Sequence, residues 1–272
     1  MKFKIMFLLS LCYTILLASC GYKSTIQDVV PKHDTFKLES NQLKEERTIN
    51  VWTPKNYEST QDSLPVIYMA DGGIGEDFPH IASTIEELIN EQKIPAVILV
   101  GIENTQRRRD LTGFTTVAKD KEIAPEVGGS NQFRAFIKEE LFKEIDKRYR
   151  TKEEKTILGE SASGLFVMET FFVEPAMFAN YIAFDPSLWW NNHYLVRTAK
   201  ASLDQNSAVK RKLWFAGSNA DDISPYTNKL ATILAENENK NLVWHYVDEP
   251  NEGHTTIFRA TKKQALIWIL NN

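Results

Sequence analysis

The sequence predicts an α/β fold with a mostly parallel sheet and helices on both faces. Two observations carry this. Apolar runs of strand length alternate with helical patterns from residue 64 to the end of the chain. The first of those runs, "LPVIYMAD" (64–71) and "IPAVILVG" (94–101), are continuously apolar rather than alternating, as expected of strands covered on both faces. A content of 43% hydrophobic and 25% charged residues over 272 positions suits one globular domain with a sizeable core.

The first residues have another character. Lys2 and Lys4 precede an apolar run from Ile5 to Leu17, followed by "LASCG". A basic start, a short apolar stretch and small residues form the pattern of an export signal, and the stretch is too short for a comfortable membrane span. Leu17-Ala18-Ser19-Cys20 resembles a bacterial lipobox, which makes 1–19 a lipoprotein signal peptide and Cys20 the lipidated mature N-terminus. The expected location is the bacterial cell envelope, anchored by lipid. The only cysteines are Cys12 and Cys20, so the mature chain would keep one and form no internal disulfide. Removing Lys2 and Lys4 would take the net charge from -4 to -6. That balance gives no basic face for nucleic acid.

Residues 20–34 read as a tether and 35–272 as a single domain. "TFKLES" (35–40) and "RTINVWTP" (47–54) suggest an N-terminal hairpin. After "LPVIYMAD" come Gly72-Gly73, a helix near 80–92, and "IPAVILVG". Residues 102–129 form a long polar stretch containing Arg107-Arg108-Arg109. Ser130 can cap a helix over 131–149, in which Phe133, Ile137, Leu141, Ile145 and Tyr149 recur every four residues. "KTILG" (155–159) is a short strand and "ASGLFVMETFF" a helix stopped near Pro175. "YIAFD" (181–185), "KLWFAG" (212–217) and "LVWHYVD" (242–248) are further strands. Helices fit near 188–203, 225–237 and 257–270.

In open parallel sheets, ligands bind beyond the carboxyl ends of the strands. After "KTILG" stands Glu160-Ser161-Ala162-Ser163-Gly164. A serine there sits on a tight strand-to-helix turn with its hydroxyl exposed. The N–H of the next residue, Ala162, lies at a helix N-terminus and can face an oxyanion. The G-x-S-x-G pattern is imperfect, because Ser163 holds the last position and Gly164 follows.

A serine hydroxyl needs a base, and the base needs an orienting acid. Of five histidines, only His254, in "EPNEGHTTIF" after the last strand, has the place of a late base in the order Ser, acid, His. His245 lies inside a strand, His193 in a helical stretch, His80 at a helix start and His33 in the tether. For the acid, Asp221 is favoured, then Asp222, in "SNADDIS"; Asp185, ending "YIAFD", is the third candidate. Gly72 or Gly73 fits the second oxyanion donor, since glycine lets the backbone approach a ligand closely. No H-E-x-x-H occurs, and no metal or cofactor is expected.

From about residue 35 the chain resembles the esterase branch of the α/β-hydrolases that includes enterobactin-type siderophore esterases. The resemblance rests on "PVIYMADG", "IPAVILVGIENTQRRRDLT", "FRAFIKEELFKEIDKRYRT", "GESASGLF", "DPSLWW" and "NEGH". It implies an α/β-hydrolase fold, Ser161 as nucleophile, His254 as base, and an oxyanion hole from the Ala162 amide and the glycines after "MAD". It also places the 107–109 loop near the site mouth, so Arg107, Arg108 and Arg109 are candidates for an anionic substrate, Arg107 and Arg109 foremost. Trp189 and Trp190 are candidates for stacking on an aromatic or sugar group. Two positions depart from the family: Glu160 stands where it usually has His, and Ser163 where it has Gly. The expected function is a serine esterase acting on siderophore-type, acyl-sugar or short-chain esters. The alternatives are a binding lipoprotein that has lost catalysis and an acyltransferase.

Overall fold

A computed structural model of the chain describes residues 28–271. Signal cleavage and lipidation at Cys20 lie outside the described residues. Eight strands form one sheet: β1 (Asp34–Ser40), β2 (Glu45–Trp52), β3 (Leu64–Met69), β4 (Ile98–Ile102), β5 (Thr151–Glu160), β6 (Asn180–Phe184), β7 (Arg211–Ser218) and β8 (Leu242–Glu249). Their order is β1-β2-β4-β3-β5-β6-β7-β8. The β1–β2 hairpin is antiparallel and β2 pairs antiparallel with β4; every pairing from β4 through β8 is parallel. This is the α/β-hydrolase arrangement that the alternation implied.

The apolar runs are continuous because both faces are covered. Val66 and Tyr68 of β3, Val100 of β4 and Phe215 of β7 pack into one core layer. Their neighbours Ile67, Met69, Leu99 and Trp214 pack into the other. Helices α1 (Phe78–Asn90) and α9 (Ile257–Asn271) close the second layer through Ile81, Ile85, Leu266 and Ile269. The first layer is closed by α4 (Ser130–Phe136), α5 (Phe142–Arg148), α6 (Ala162–Val173), α7 (Trp190–Gln205) and α8 (Ser224–Ala235). Among the described residues no helix is long and apolar enough to cross a membrane.

Several details depart from the sequence reading. The polar stretch 102–129 contains two short helices, α2 (Arg107–Leu111) and α3 (Ala118–Ile123). β5 begins at Thr151 rather than 155, and the long helix before it opens at Gly129 and Ser130 without a side-chain cap. That helix is broken by a π-helical turn at Ile137–Leu141. A strict four-residue repeat outruns 3.6 residues per turn by roughly 40° at each step, so its stripe would wind off the core. The wider π turn absorbs the drift, and Phe133, Ile137, Leu141 and Ile145 all stay buried. The end of the expected tether also meets the domain: Asp28 pairs with Arg259, and His33 packs edge-on to Phe78.

Candidate active site

The carboxyl ends of β5, β6 and β7 converge on one point. Ser161 lies between β5 and α6 with φ 59° and ψ -116°, a conformation that costs a non-glycine residue of order 1–3 kcal/mol. The turn is over-determined by its bonds. Ser161 N–H donates to the Phe184 carbonyl at 3.0 Å, and the Ser161 carbonyl accepts from Leu165 N–H and Ser187 N–H. A Cβ on Gly159 would lie 2.2 Å from Ser163 Oγ, so strand and helix fit only because residue 159 has no side chain. Ser163 therefore fills the space that Gly159 leaves, and Gly164 lets α6 approach the Phe184 carbonyl. The substituted elbow keeps its shape.

His254 lies in the loop between β8 and α9. Its Nε2 is 3.0 Å from Ser161 Oγ and its Nδ1 is 2.6 Å from Asp185 Oδ2. Because Nδ1 faces a carboxylate, it carries the proton, which leaves Nε2 to accept from the serine hydroxyl. The Asp185 bond, then the nearby charge of Glu160, raise His254 above its ordinary value against the opposing effect of burial. Asp185 is completely buried and accepts from Ser218 N–H at 2.6 Å and Ser218 Oγ–H at 2.7 Å. Three donors thus satisfy its carboxylate.

The partner of His254 is therefore Asp185, not Asp221 or Asp222. Both of those are exposed on the turn after β7. Asp222 acts on His254 only as a minor charge. The strand after which they were sought supplies Ser218, which holds the acid arriving from its neighbour β6. Asp185 has φ 45°, a bend that turns the chain out of β6 as soon as the carboxylate is in place.

The anion-stabilising donors are only half assembled. Leu165 N–H is the first in α6 to find a carbonyl, so Ala162, at the first helical position, has no carbonyl partner within the helix. Gly72 is not free: its N–H donates to the Ile102 carbonyl at 3.0 Å, and a Cβ there would lie 2.2 Å from Ile102 N. This glycine is required by close packing on β4. Gly73 N–H donates to Glu76 Oε2 at 2.7 Å. The Glu76 carboxylate also accepts from the Asn104 side chain at 2.9 Å.

The three arginines separate. Arg107 donates Nε and Nη2 to Asp71 at 2.5 and 2.8 Å, and Nη2 reaches the Glu160 carbonyl at 3.4 Å. It ties the glycine loop to the elbow. Arg108 donates to the Ile123 carbonyl and has no carboxylate partner among the described residues. Arg109 points elsewhere, donating to Glu45 and Asp110 beside the buried Arg47–Asp110 pair, and does not reach the site. A cavity of about 140 Å³ beside Ser161 is lined by Arg107, Arg108, Leu165, Ser187, Trp189 and Trp190. Trp189 also borders an adjoining cleft of about 440 Å³ with His193, Asp222 and Tyr226. Trp190 is mostly buried and donates Nε1–H to the Gly113 carbonyl, so it forms wall more than platform.

A hydroxyl bonded to an imidazole that is bonded to a buried carboxylate is the arrangement nucleophilic acyl transfer needs. Comparison with known proteins agrees with this geometry. The family described as "Putative esterase" matches residues 40–270. The chain belongs to this esterase family. It is 32% identical to the ferri-bacillibactin esterase BesA of Bacillus subtilis over 174 residues, covering 56% of this chain and 58% of that protein. It is 24% identical to the apo-salmochelin esterase of Escherichia coli, covering 81% and 74%. The chain thus spans little over half of the first relative. An IroE-like serine hydrolase from Shewanella oneidensis superposes with a TM-score of 0.77 at 25% identity, covering 88% of this chain and 80% of that one. Sequence reasoning missed Ser218 and Glu76. Nothing in a serine ending a strand or a glutamate in a loop marks them before the strands are set side by side.

Proposed function

We propose that this chain is a serine esterase that cleaves carboxylic esters through an acyl-enzyme, with a siderophore-type ester as its substrate class. The observation carrying the reading is the chain of bonds from Ser161 through His254 to the buried Asp185. Ser161 Oγ attacks the carbonyl carbon while His254 Nε2 takes its proton. Ala162 N–H stabilises the oxyanion, joined by Gly73 N–H once Glu76 yields it. The tetrahedral adduct collapses, and Nε2–H protonates the departing alcohol. Water then gives a proton to Nε2 and attacks the acyl carbon; as this second adduct collapses, Nε2–H returns the proton to Ser161 Oγ and the acid leaves. Asp185 fixes the tautomer and stabilises the imidazolium. Arg107 holds the site's two loops, while Arg108, Trp189 and Trp190 contact the substrate in the cavity beside Ser161.

The substrate class rests on the names of the relatives and on family membership. Acyl sugars and short-chain esters are the comparison set for a hydrolysis panel against siderophore lactones. Ser161→Ala should abolish p-nitrophenyl butyrate turnover and fluorophosphonate labelling while the circular dichroism spectrum stays unchanged. Full turnover in that variant would refute the nucleophile. Lipidation at Cys20 belongs to the same proposal: mass spectrometry should find a diacylglyceryl-modified Cys20, and Cys20→Ala should release the protein from membranes.

A further inference from the structure

Glu160 stands between Gly159 and Ser161, where the family usually has histidine. Its Oε1 lies 3.7 Å from His254 Nε2, the nitrogen that also faces Ser161 Oγ. Its side chain is only 17% exposed, and no hydrogen bond to its carboxyl oxygens is formed among the described residues. The imidazole thus has a fully bonded carboxylate at Nδ1 and an unbonded one near Nε2.

We propose that Glu160 and His254 form a charge-coupled pair on the reacting side of the imidazole, so that Glu160 is a positioning residue that sets the pH at which the esterase becomes active. The inference rests on the esterase reading for its kinetic consequence but not for its physical content. When Glu160 is ionised, an imidazolium at His254 is held between two carboxylates rather than one. The neutral imidazole that accepts the Ser161 proton is then reached only at higher pH. The two groups act on each other through charge across 3.7 Å, so each one's protonation shifts the other's.

The surroundings keep the two groups within reach of each other's titration. Burial first pushes the Glu160 carboxyl up to about 7; the charges of Asp77 and Asp71 add to this, and those of His254 and Arg107 oppose it. Arg107 offers little relief, because its fork is committed to Asp71 and the Glu160 backbone carbonyl. Asp77 is bonded by His80, on which Lys262 rests, and Arg259 is paired with Asp28. His254 faces Asp185, Glu160 and, weakly, Asp222. Two coupled sites of this kind titrate as a pair.

The test is an NMR titration of the His254 ring in the full mature protein and in Glu160→Gln, read alongside the pH profile of kcat/KM. The charge-free variant should titrate at lower pH, and its acid limb should move down by about one pH unit, which is about tenfold more activity on the acid side. The alkaline plateau should stay within about threefold, since Gln keeps the turn. Glu160→Asp, which keeps the charge, should stay close to the parent in its limb, and Glu160→His should move as Gln does. An unchanged His254 midpoint in both Glu160→Gln and Glu160→His overturns the pairing. If the protein hydrolyses no ester at all, the esterase reading fails while the NMR shift still decides the pair. If Glu160→Gln does not fold, Glu160→His carries the same comparison.

Discussion

The two sides of the His254 ring are built on different principles. At Nδ1 stands Asp185, fully buried, bonded to the imidazole and to both donors of Ser218. At Nε2 stands Glu160, 3.7 Å away, with no hydrogen bond to its carboxyl oxygens among the described residues. The difference teaches what each carboxylate can do. A buried acid held by three donors is fixed in place and holds an imidazole in one orientation. A desolvated acid without donors is driven toward its neutral form and exchanges its proton where the chemistry occurs.

Breaking the Nδ1 side should cost most. Asp185→Asn keeps the shape but inverts the bonding preference at Nδ1, and should lower kcat/KM by on the order of 10³–10⁴-fold. Asp221→Asn, assayed in parallel, should stay within about twofold. A large loss in Asp221→Asn with a small one in Asp185→Asn would reverse the assignment. Ser218→Ala removes one of three donors while leaving Ser218 N–H in place. It should cost about tenfold in activity, consistent with about 1.5 kcal/mol for a hydrogen bond to a charged group.

A separate measurement sharpens the Nε2 side through stability. Burial raises the Glu160 carboxyl from 4.5 to about 7. Between those values the folded chain keeps a proton that the unfolded chain gives up, so stability falls as pH rises through that window and then levels off. Its size is on the order of 2 kcal/mol. The raised His254 contributes in the same sense, adding stability below its unfolded value that is lost as pH rises through its folded one. Denaturant melts of Glu160→Gln at pH 5 and pH 8 should show a smaller loss than the parent. Equal slopes would mean that the Glu160 carboxyl is solvated.

Much of the fold was legible because burial on two faces leaves a local record. "LPVIYMAD" and "IPAVILVG" read as covered strands, and the structure places their alternate residues in opposite core layers. Ser161 and His254 were legible because each follows a strand, and chain order alone limits which end of the sheet they share. The acid was not legible in the same way. Asp221-Asp222 and Asp185 all follow strands, and only the register of β6 beside β7 brings Asp185 to both Ser218 and His254. Gly72 and Gly73 looked equivalent, yet the approach of β4 uses one amide and Glu76 the other. Arg107 and Arg109 are two positions apart and point to different partners, because a short helix turns them away from each other.

The sequence by itself therefore determined the layering, the elbow and the two residues, Ser161 and His254, that each follow a strand. Tertiary structure decided the acid, the fate of the glycine amides and the two-carboxylate setting of His254. Each of those is a hydrogen bond or a close approach between segments far apart in the chain, and its selection depends on ångström-scale register that residue type and spacing do not encode.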